Sequence, residues 1–371
     1  MQIDYEDFCN NYRTIFIAFY KIYPSYTGAS EVSNNFFKYW PTQKKIFYFP
    51  YNVKNKKNYF LINFLNFFLK FLFTFLIFLV IKFKEIKNKK KNLIIIEGAS
   101  WIFFSYIFYL LCQIFLKNTK ILYHAHNIEY EVRNYKNNLF ISFVTKIMEK
   151  KILHNTISTV VSSDDQKKVY KYYKIKPYIL MNGINHDIII KKKKRKDLQV
   201  IFPGNNEYYF NYISINKLLK IIPRLINKFP KIKFIFTGSN RINYNKKNKN
   251  IISSGILNKK KYQETLQKSN LLIYPATKAP GTKFKIIESL CYGIIVITTK
   301  EGLKGIKIIK NFKSIFIYRN YKQLEQLVVK CFDNFKEINK NAYKNANFYK
   351  KIYSFKNINN KFINNYLLNK L

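Results

Sequence analysis

Short, continuously apolar runs recur along the whole chain, separated by stretches long enough for helices. The runs are Thr14–Tyr20, Leu93–Ile96, Ile121–His124, Ser158–Val161, Val200–Phe202, Lys233–Phe236, Leu271–Tyr274, Ile294–Ile297 and Ser314–Tyr318. Each is β-branched or aromatic and bounded by turn or charged residues, the pattern of strands buried on both faces. Their alternation with helical stretches predicts an α/β chain whose parallel sheets are covered by helices. At 371 residues, the chain is long enough for two such domains. The segment Ile188–Leu198, IIIKKKKRKDL, is a like-charge run that repels itself and extends. It divides the chain into an N-terminal domain 1–190, a basic linker 191–198 and a C-terminal domain 199–350. A C-terminal helix, 351–371, is expected to return to the first domain.

Composition narrows the function classes. Hydrophobic residues are 48% and aromatics 18%, which excludes disorder across the chain. Basic residues number 66 against 20 acidic, a net charge of +46. Only Arg13, Arg133, Arg195, Arg224, Arg241 and Arg319 among them are Arg. A phosphate-reading surface normally recruits Arg, whose fork matches phosphate geometry. A Lys surplus alongside abundant Asn, Ile, Phe and Tyr reads mainly as the codon bias of an AT-rich genome. Such a surface still attracts anionic lipid and anionic small molecules. The Lys residues are spread through every segment and no nucleic-acid-binding module is present, so no specific nucleic-acid partner is expected. Cys9, Cys112, Cys291 and Cys331 lie far apart with no CxxC pair, which points to a reducing compartment. The start, MQIDYEDFCNNYR, is polar and acidic, so no cleavable leader is expected.

Phe60–Ile81, FLINFLNFFLKFLFTFLIFLVI, has the composition of a membrane segment but is interrupted by Asn63, Asn66 and Lys70. Its unbroken part, Phe71–Ile81, makes about 16 Å of helix against a hydrocarbon core of roughly 30 Å. The strands on either side also read as members of one sheet, which a single crossing would split. The segment is read first as a buried crossover helix, then as a helix lying in the bilayer interface, and last as a span. Trp101–Leu116 reads as a core helix.

Several segments carry chemistry. Gly281–Leu290, GTKFKIIESL, follows a strand and a loop. A helix starting near Gly281 or Thr282 aims free N–H groups and a positive dipole end at the crevice where open α/β sheets bind ligands. Lys283 and Lys285 add charge there, and Glu288 is placed to accept from ribose hydroxyls. The alternative is an ordinary solvated helix start. Gly28-Ala29 opens a helix after the first strand, where small residues let a ligand approach the backbone; a plain strand-to-helix turn is the alternative. His124 and His126 stand at the end of a strand and are read as facing opposite sides of it. On that reading they are poor partners for one metal ion. GxGxxG, Walker A and DxD motifs are absent, and so is any hydrolase triad signature.

In order and spacing these segments resemble the family 4 glycosyltransferases of the GT-B fold, in their glycine-rich-loop subgroup. IAFYKIYPSYTGASEV is similar to the family's first strand and glycine loop, and HAHNIEYEVR to its "HNvEye" segment. VVSSDDQKKVYKYY and YILMNGIN, with Asn182-Gly183, resemble the segments that close the first domain. VIFPGNNEYYFN, FIFTGS and PGTKFKIIESLCYGIIVITTKEGLKGI resemble the nucleotide-binding half. The resemblance implies two Rossmann-like parallel-sheet domains facing across a cleft. It implies retaining, hexosyltransferase-like transfer from a nucleotide diphosphate sugar. Glu288 would bind the donor ribose and His126 would contact the donor sugar near the reacting centre. Gly281, Thr282, Lys283 and Lys285 would line the diphosphate, and Gly28-Ala29 would pass near the phosphates or the acceptor. Neither a metal nor any other cofactor is implied, because cations and helix ends neutralise the leaving diphosphate.

The chain departs from the family at two places. Pro280 stands where many members carry a first Glu, and Asn205 and Asn206 stand where Arg and Lys are usual. The expected activity is assembly of a cell-surface glycan in polysaccharide biosynthesis. The expected partners are the donor, a glycan or lipid-linked acceptor, and an anionic membrane surface. The expected location is cytoplasmic, on the inner face of the cytoplasmic membrane. A sugar-nucleotide epimerase of the same fold, a basic nucleic-acid-binding protein and an inactive scaffold are the competing readings.

Overall fold

A computed structural model describes residues 4–23, 28–50, 59–87, 90–100, 102–134, 139–185, 198–204, 209–238, 249–276, 282–308 and 313–371. The chain divides into two compact units, 1–183 with 355–371, and 184–354.

In the first unit the strands are β1 (Tyr12–Ala18), β2 (Gln43–Tyr48), β3 (Lys91–Glu97), β4 (Thr119–Ala125), β5 (Ile157–Val160) and β6 (Tyr178–Ile179). They form one parallel sheet in the order β2-β1-β3-β4-β5-β6. The helices are α1 (Tyr5–Asn11), α2 (Gly28–Lys38), α3 (Tyr59–Lys87), α4 (Ile102–Phe115), α5 (Glu129–Asn134), α6 (Leu139–Asn155) and α7 (Ser163–Tyr173). Alternation along each strand decides the two faces. Ile15 and Ile17, Ile94 and Ile96, and Ile121 and Tyr123 pack against Ile77, Phe78 and Ile81 of α3, Phe104 and Phe108 of α4, and Ile152 and Leu153 of α6. On the other face, Phe16 meets Phe36 of α2 edge-on at 5.4 Å.

In the second unit the strands are β7 (Gln199–Pro203), β8 (Lys233–Thr237), β9 (Ile251–Gly255), β10 (Leu271–Tyr274), β11 (Ile295–Thr298) and β12 (Ile315–Ile317). They form a parallel sheet in the order β12-β11-β10-β7-β8-β9. Its helices are α8 (Tyr209–Leu219), α9 (Ile222–Lys228), α10 (Lys259–Lys268), α11 (Phe284–Cys291), α12 (Tyr321–Asp333) and α13 (Phe335–Tyr353).

The first unit ends at Gly183 rather than at residue 190, because Ile184 bridges to Ser354 and its N–H donates to the Tyr353 carbonyl. The chain changes units again at Phe355 rather than at 351, because α13 runs on to Tyr353. The C-terminal segment is α14 (Phe355–Phe362) with two further short turns, in place of one helix over 351–371. In the first unit Phe355 packs on Phe36 at 6.2 Å, and Asn359 donates to the Phe36 carbonyl. The basic linker 191–198 falls outside the described residues except for Leu198.

The crossover α3 corrects the buried-helix reading. Thr74, Ile77, Phe78 and Ile81 are buried, but the opposite stripe is exposed, with Phe68 50%, Leu76 62% and Phe83 66% accessible. α4 is likewise buried on one side only, and Ile114 and Phe115 are exposed.

One carboxylate secures the end of this helical layer. Glu149 of α6 is buried and accepts from the N–H groups of Glu129 (2.7 Å) and Tyr130 (3.1 Å) and from the Tyr173 hydroxyl (2.6 Å). These bonds cap the first turn of α5. Burial outweighs them and pushes the Glu149 carboxyl up from 4.5 to about 7. The folded state therefore holds this proton more tightly than the unfolded chain. The group's contribution is complete below about pH 4.5 and is lost as pH rises through about 7. Thermal unfolding at pH 5 and 8 is expected to show that loss in the wild type and not in Glu149→Gln. Glu149→Ala should cost about 1–3 kcal/mol at either pH, through the orphaned N–H groups.

Candidate active site

The second sheet reverses its strand order between β7 and β10. The chain winds outward from β7 through β8 to β9, then returns to build β10, β11 and β12 on the other side. Ligands bind beyond the carboxyl ends of strands at such a switch point. Gly204 stands at the end of β7, and α11 follows β10.

Lys285 of α11 reaches into that corner. The residue is half-buried along its stem, but its ammonium is enclosed. It donates to Asn211 Oδ1 at 2.8 Å and lies 4.5 Å over the Tyr274 ring and 5.3 Å over the Phe202 ring. A Cβ added at Gly204 would come within 2.7 Å of Lys285 Nζ, so the missing side chain leaves the ammonium its place. No carboxylate pairs with it among the described residues. Burial, helped by the charge of Lys283, pulls its pKa down from 10.5 to about 7.

Glu288 lies one turn further along α11, on the same face as Lys285. It is half-buried and accepts from the Tyr262 hydroxyl of α10 at 2.6 Å. Lys283 is buried at the N-cap of α11, which starts at Phe284 rather than at Gly281 or Thr282. Among the described residues no side chain caps that end. The Thr282 hydroxyl is buried with no hydrogen-bond partner among the described residues. Gly281 and Pro280, like Asn205 and Asn206, lie outside the described residues.

The first unit repeats the arrangement. Its order reverses between β1 and β3, and α2, Glu97 and His126 gather at the carboxyl ends of β1, β3 and β4. Gly28 is exposed at the start of α2 and a Cβ there would meet nothing, while Ala29 is half-buried beside it. Deeper in, Ser33 donates to Glu97 Oε2 at 2.5 Å, so the Tyr20 hydroxyl, 2.5 Å from Ser33, donates to Ser33. The same Glu97 oxygen meets His126 Nε2 at 2.7 Å, with both side chains buried. Burial pushes the Glu97 carboxyl up. The charge of His126 and the bonds from His126 and Ser33 pull it further the other way, below the ordinary carboxylate value. Glu97 Oε1 is buried and has no partner among the described residues.

The histidine reading is corrected. His124 and His126 lie on the same side of the chain with ring centroids 4.7 Å apart, because residues two apart on a strand share a face. His124 bonds Thr159 Oγ1 at 2.9 Å, and burial, then the neighbouring His126, lowers its pKa to about 3. It is a neutral, structural neighbour. Among the described residues no group of three or more His, Cys, Asp or Glu is placed to hold a metal ion.

Comparison with solved structures decides the architecture. The chain matches Anabaena Alr3699/HepE in complex with UDP-glucose at a TM-score of 0.66 and 11% identity, over 96% of this chain and 100% of that one. The fold is GT-B. The sucrose-phosphate synthase of Thermosynechococcus elongatus gives 0.66 at 12% identity, covering 94% and 97% of the two chains. A glycosyltransferase from Rickettsia africae gives 0.63 at 16%, covering 95% and 97%. TarM matches at 0.58 and 14% over 75% of this chain, which spans only 55% of TarM's length. A comparison with curated proteins gives no match. Residues 197–334 match the family described as Glycosyl transferases group 1. That stretch of the GT-B chain contains Gly204, Asn211, Tyr262, Lys285 and Glu288.

The resemblance had already marked His126, Lys283, Lys285 and Glu288. Glu97, Ser33 and Tyr20 in the first unit, and Gly204, Asn211 and Tyr274 in the second, emerge only in three dimensions. A lone acid closing the apolar strand NLIIIE was the one signal for Glu97 in the sequence.

Proposed function

We propose that this protein is a retaining glycosyltransferase that moves a sugar from a nucleotide diphosphate sugar to a cell-surface glycan precursor, free or lipid-linked. One observation carries the donor part. The Lys285 ammonium is buried at the sheet's switch point, and among the described residues no carboxylate pairs with it. An enclosed cation without a counter-ion is costly, and an anionic ligand removes the cost. A diphosphate there would also meet Lys283, the Thr282 hydroxyl and the uncapped start of α11. The bound UDP-glucose of HepE supports a sugar nucleotide as the class of ligand.

Lys285, Lys283 and the helix end would balance the charge that develops on the leaving diphosphate, so no divalent cation is called for. Glu288 would hold the ribose hydroxyls and His126 would contact the sugar. The bond from the anomeric carbon to the diphosphate oxygen breaks and the acceptor oxygen bonds to the same face. The acceptor proton passes to the leaving phosphate oxygen.

Glu288→Ala tests the donor reading. Loss of charged hydrogen bonds worth about 1.5–3 kcal/mol should weaken UDP-sugar binding roughly 10–150-fold, measured by calorimetry on the folded variant. Unchanged affinity would remove Glu288 from the donor site.

A further inference from the structure

We propose that α3, α4 and α6 form one surface that inserts in-plane into the outer part of an anionic lipid bilayer. α3 is long and apolar enough to cross a membrane, at ~43 Å for its helix. The sheet forbids that. β2 and β3, which α3 joins, both pair with β1, so they lie only about 10 Å apart. A crossing would have to part them by a hydrocarbon core of about 30 Å. α3 therefore stays on one face of the sheet, packed in the layer it shares with α4 and α6.

The outward side of that layer is largely apolar, with Lys146, Lys150 and Lys151 of α6 also exposed. Phe68, Leu76 and Phe83 recur at two-turn spacing along α3, Ile114 stands on α4, and Phe140 and Phe143 stand on α6. Water-exposed patches of this extent mark an interaction surface. Two of the polar residues of α3 turn inward, whereas Asn63 is exposed. Lys70 places its ammonium over the Phe49 and Phe104 rings, and Thr74 is buried and donates to the Lys70 carbonyl. An exposed apolar stripe on a helix whose other side already packs in the core is suited to lipid more than to water. Lys82 holds its ammonium 4.7 Å over the Phe115 ring, the reach of an interfacial lysine. Charge selects the occupant: a net +46 repels a second copy and draws an anionic bilayer. This inference stands apart from the donor chemistry, and an amphipathic acceptor held at the bilayer follows where both hold.

Flotation of the full chain with vesicles of phosphatidylcholine and phosphatidylglycerol tests it. The expected result is co-flotation at low salt that persists in about 1 M NaCl, where charge is screened within about 3 Å. Phe68→Glu/Leu76→Glu/Phe83→Glu should lower retention in high salt by about tenfold or more, equivalent to a tenfold change in partition. Its UDP affinity should be unchanged, which also reports that it folds. Phe140→Glu/Phe143→Glu is the second variant, on a different helix of the same layer. Wild type that stays in the aqueous fraction at low salt overturns the proposal. So does full release at high salt, which would leave electrostatics alone. A discrete dimer that the variants convert to monomer, without vesicle binding, would assign the face to a second copy instead.

Discussion

Lys285→Met should lower transfer by about two to three powers of ten, the usual loss when one preorganised charge opposite a developing anion is removed. The fold should persist, because the ammonium it removes is enclosed among Asn211, Tyr274 and Phe202, with no carboxylate partner among the described residues. Its folded pKa, about 7, lies below the 10.5 of the free side chain. The unfolded chain therefore binds this proton more readily, and the group's penalty on folding is full below about pH 7 and relieved as pH rises toward 10.5. Lys285→Met should flatten that rise in stability. Binding of UDP should bring the proton back, so affinity should weaken as pH rises above about 7, with proton uptake seen by calorimetry in two buffers. A Met variant that binds UDP as the wild type does would place the diphosphate elsewhere. Lys283→Ala/Lys285→Met should lose more than Lys285→Met alone, since Lys283 sits at the N-cap of the same helix.

Glu97→Gln should cost roughly 10–150-fold in turnover, because it replaces a charged hydrogen bond to His126 worth about 1.5–3 kcal/mol. On the proposed function, Glu97 would be a positioning residue. Its Oε2 holds His126 Nε2 at 2.7 Å and receives Ser33, which Tyr20 orients in turn. The shape of the site survives in the amide, but the fixed charge does not. The pH profile separates this from a merely structural effect. With Glu97 held ionised, wild-type activity should fall at low pH as that carboxylate is protonated, and the Gln variant should lack that limb. Ser33→Ala should reproduce a smaller part of the loss. A Gln variant with wild-type turnover and an unchanged acid limb would leave Glu97 as packing only.

The sites were legible in the sequence to different depths. Lys285 and Glu288 share a helix start that local spacing exposes, three residues apart after a strand. Glu97 has partners 64 and 29 residues away, in Ser33 and His126. No local pattern joins them. Lys285 and Gly204 meet only because β7 and β10 are neighbours.

Central strands declared themselves in the sequence because a parallel strand buried on both faces reads as an unbroken apolar run. Leu93–Ile96 and Leu271–Tyr274 are such strands, with both faces covered. β2, β6 and β9 did not. They lie at sheet edges, where one flank is open to solvent and residues such as Gln43, Lys44, Ser253 and Ser254 suffice. The sequence by itself therefore determined the α/β class and the presence of two units, and it put Lys285 and Glu288 on one helix after a strand. The tertiary structure alone decided that α3 has one buried stripe and one exposed, because its inner partners come from strands and helices distant in the chain. It alone decided that His124 and His126 lie together beside Glu97. Periodicity reports the length and apolar content of an element, whereas packing against distant neighbours settles which side of it meets the core.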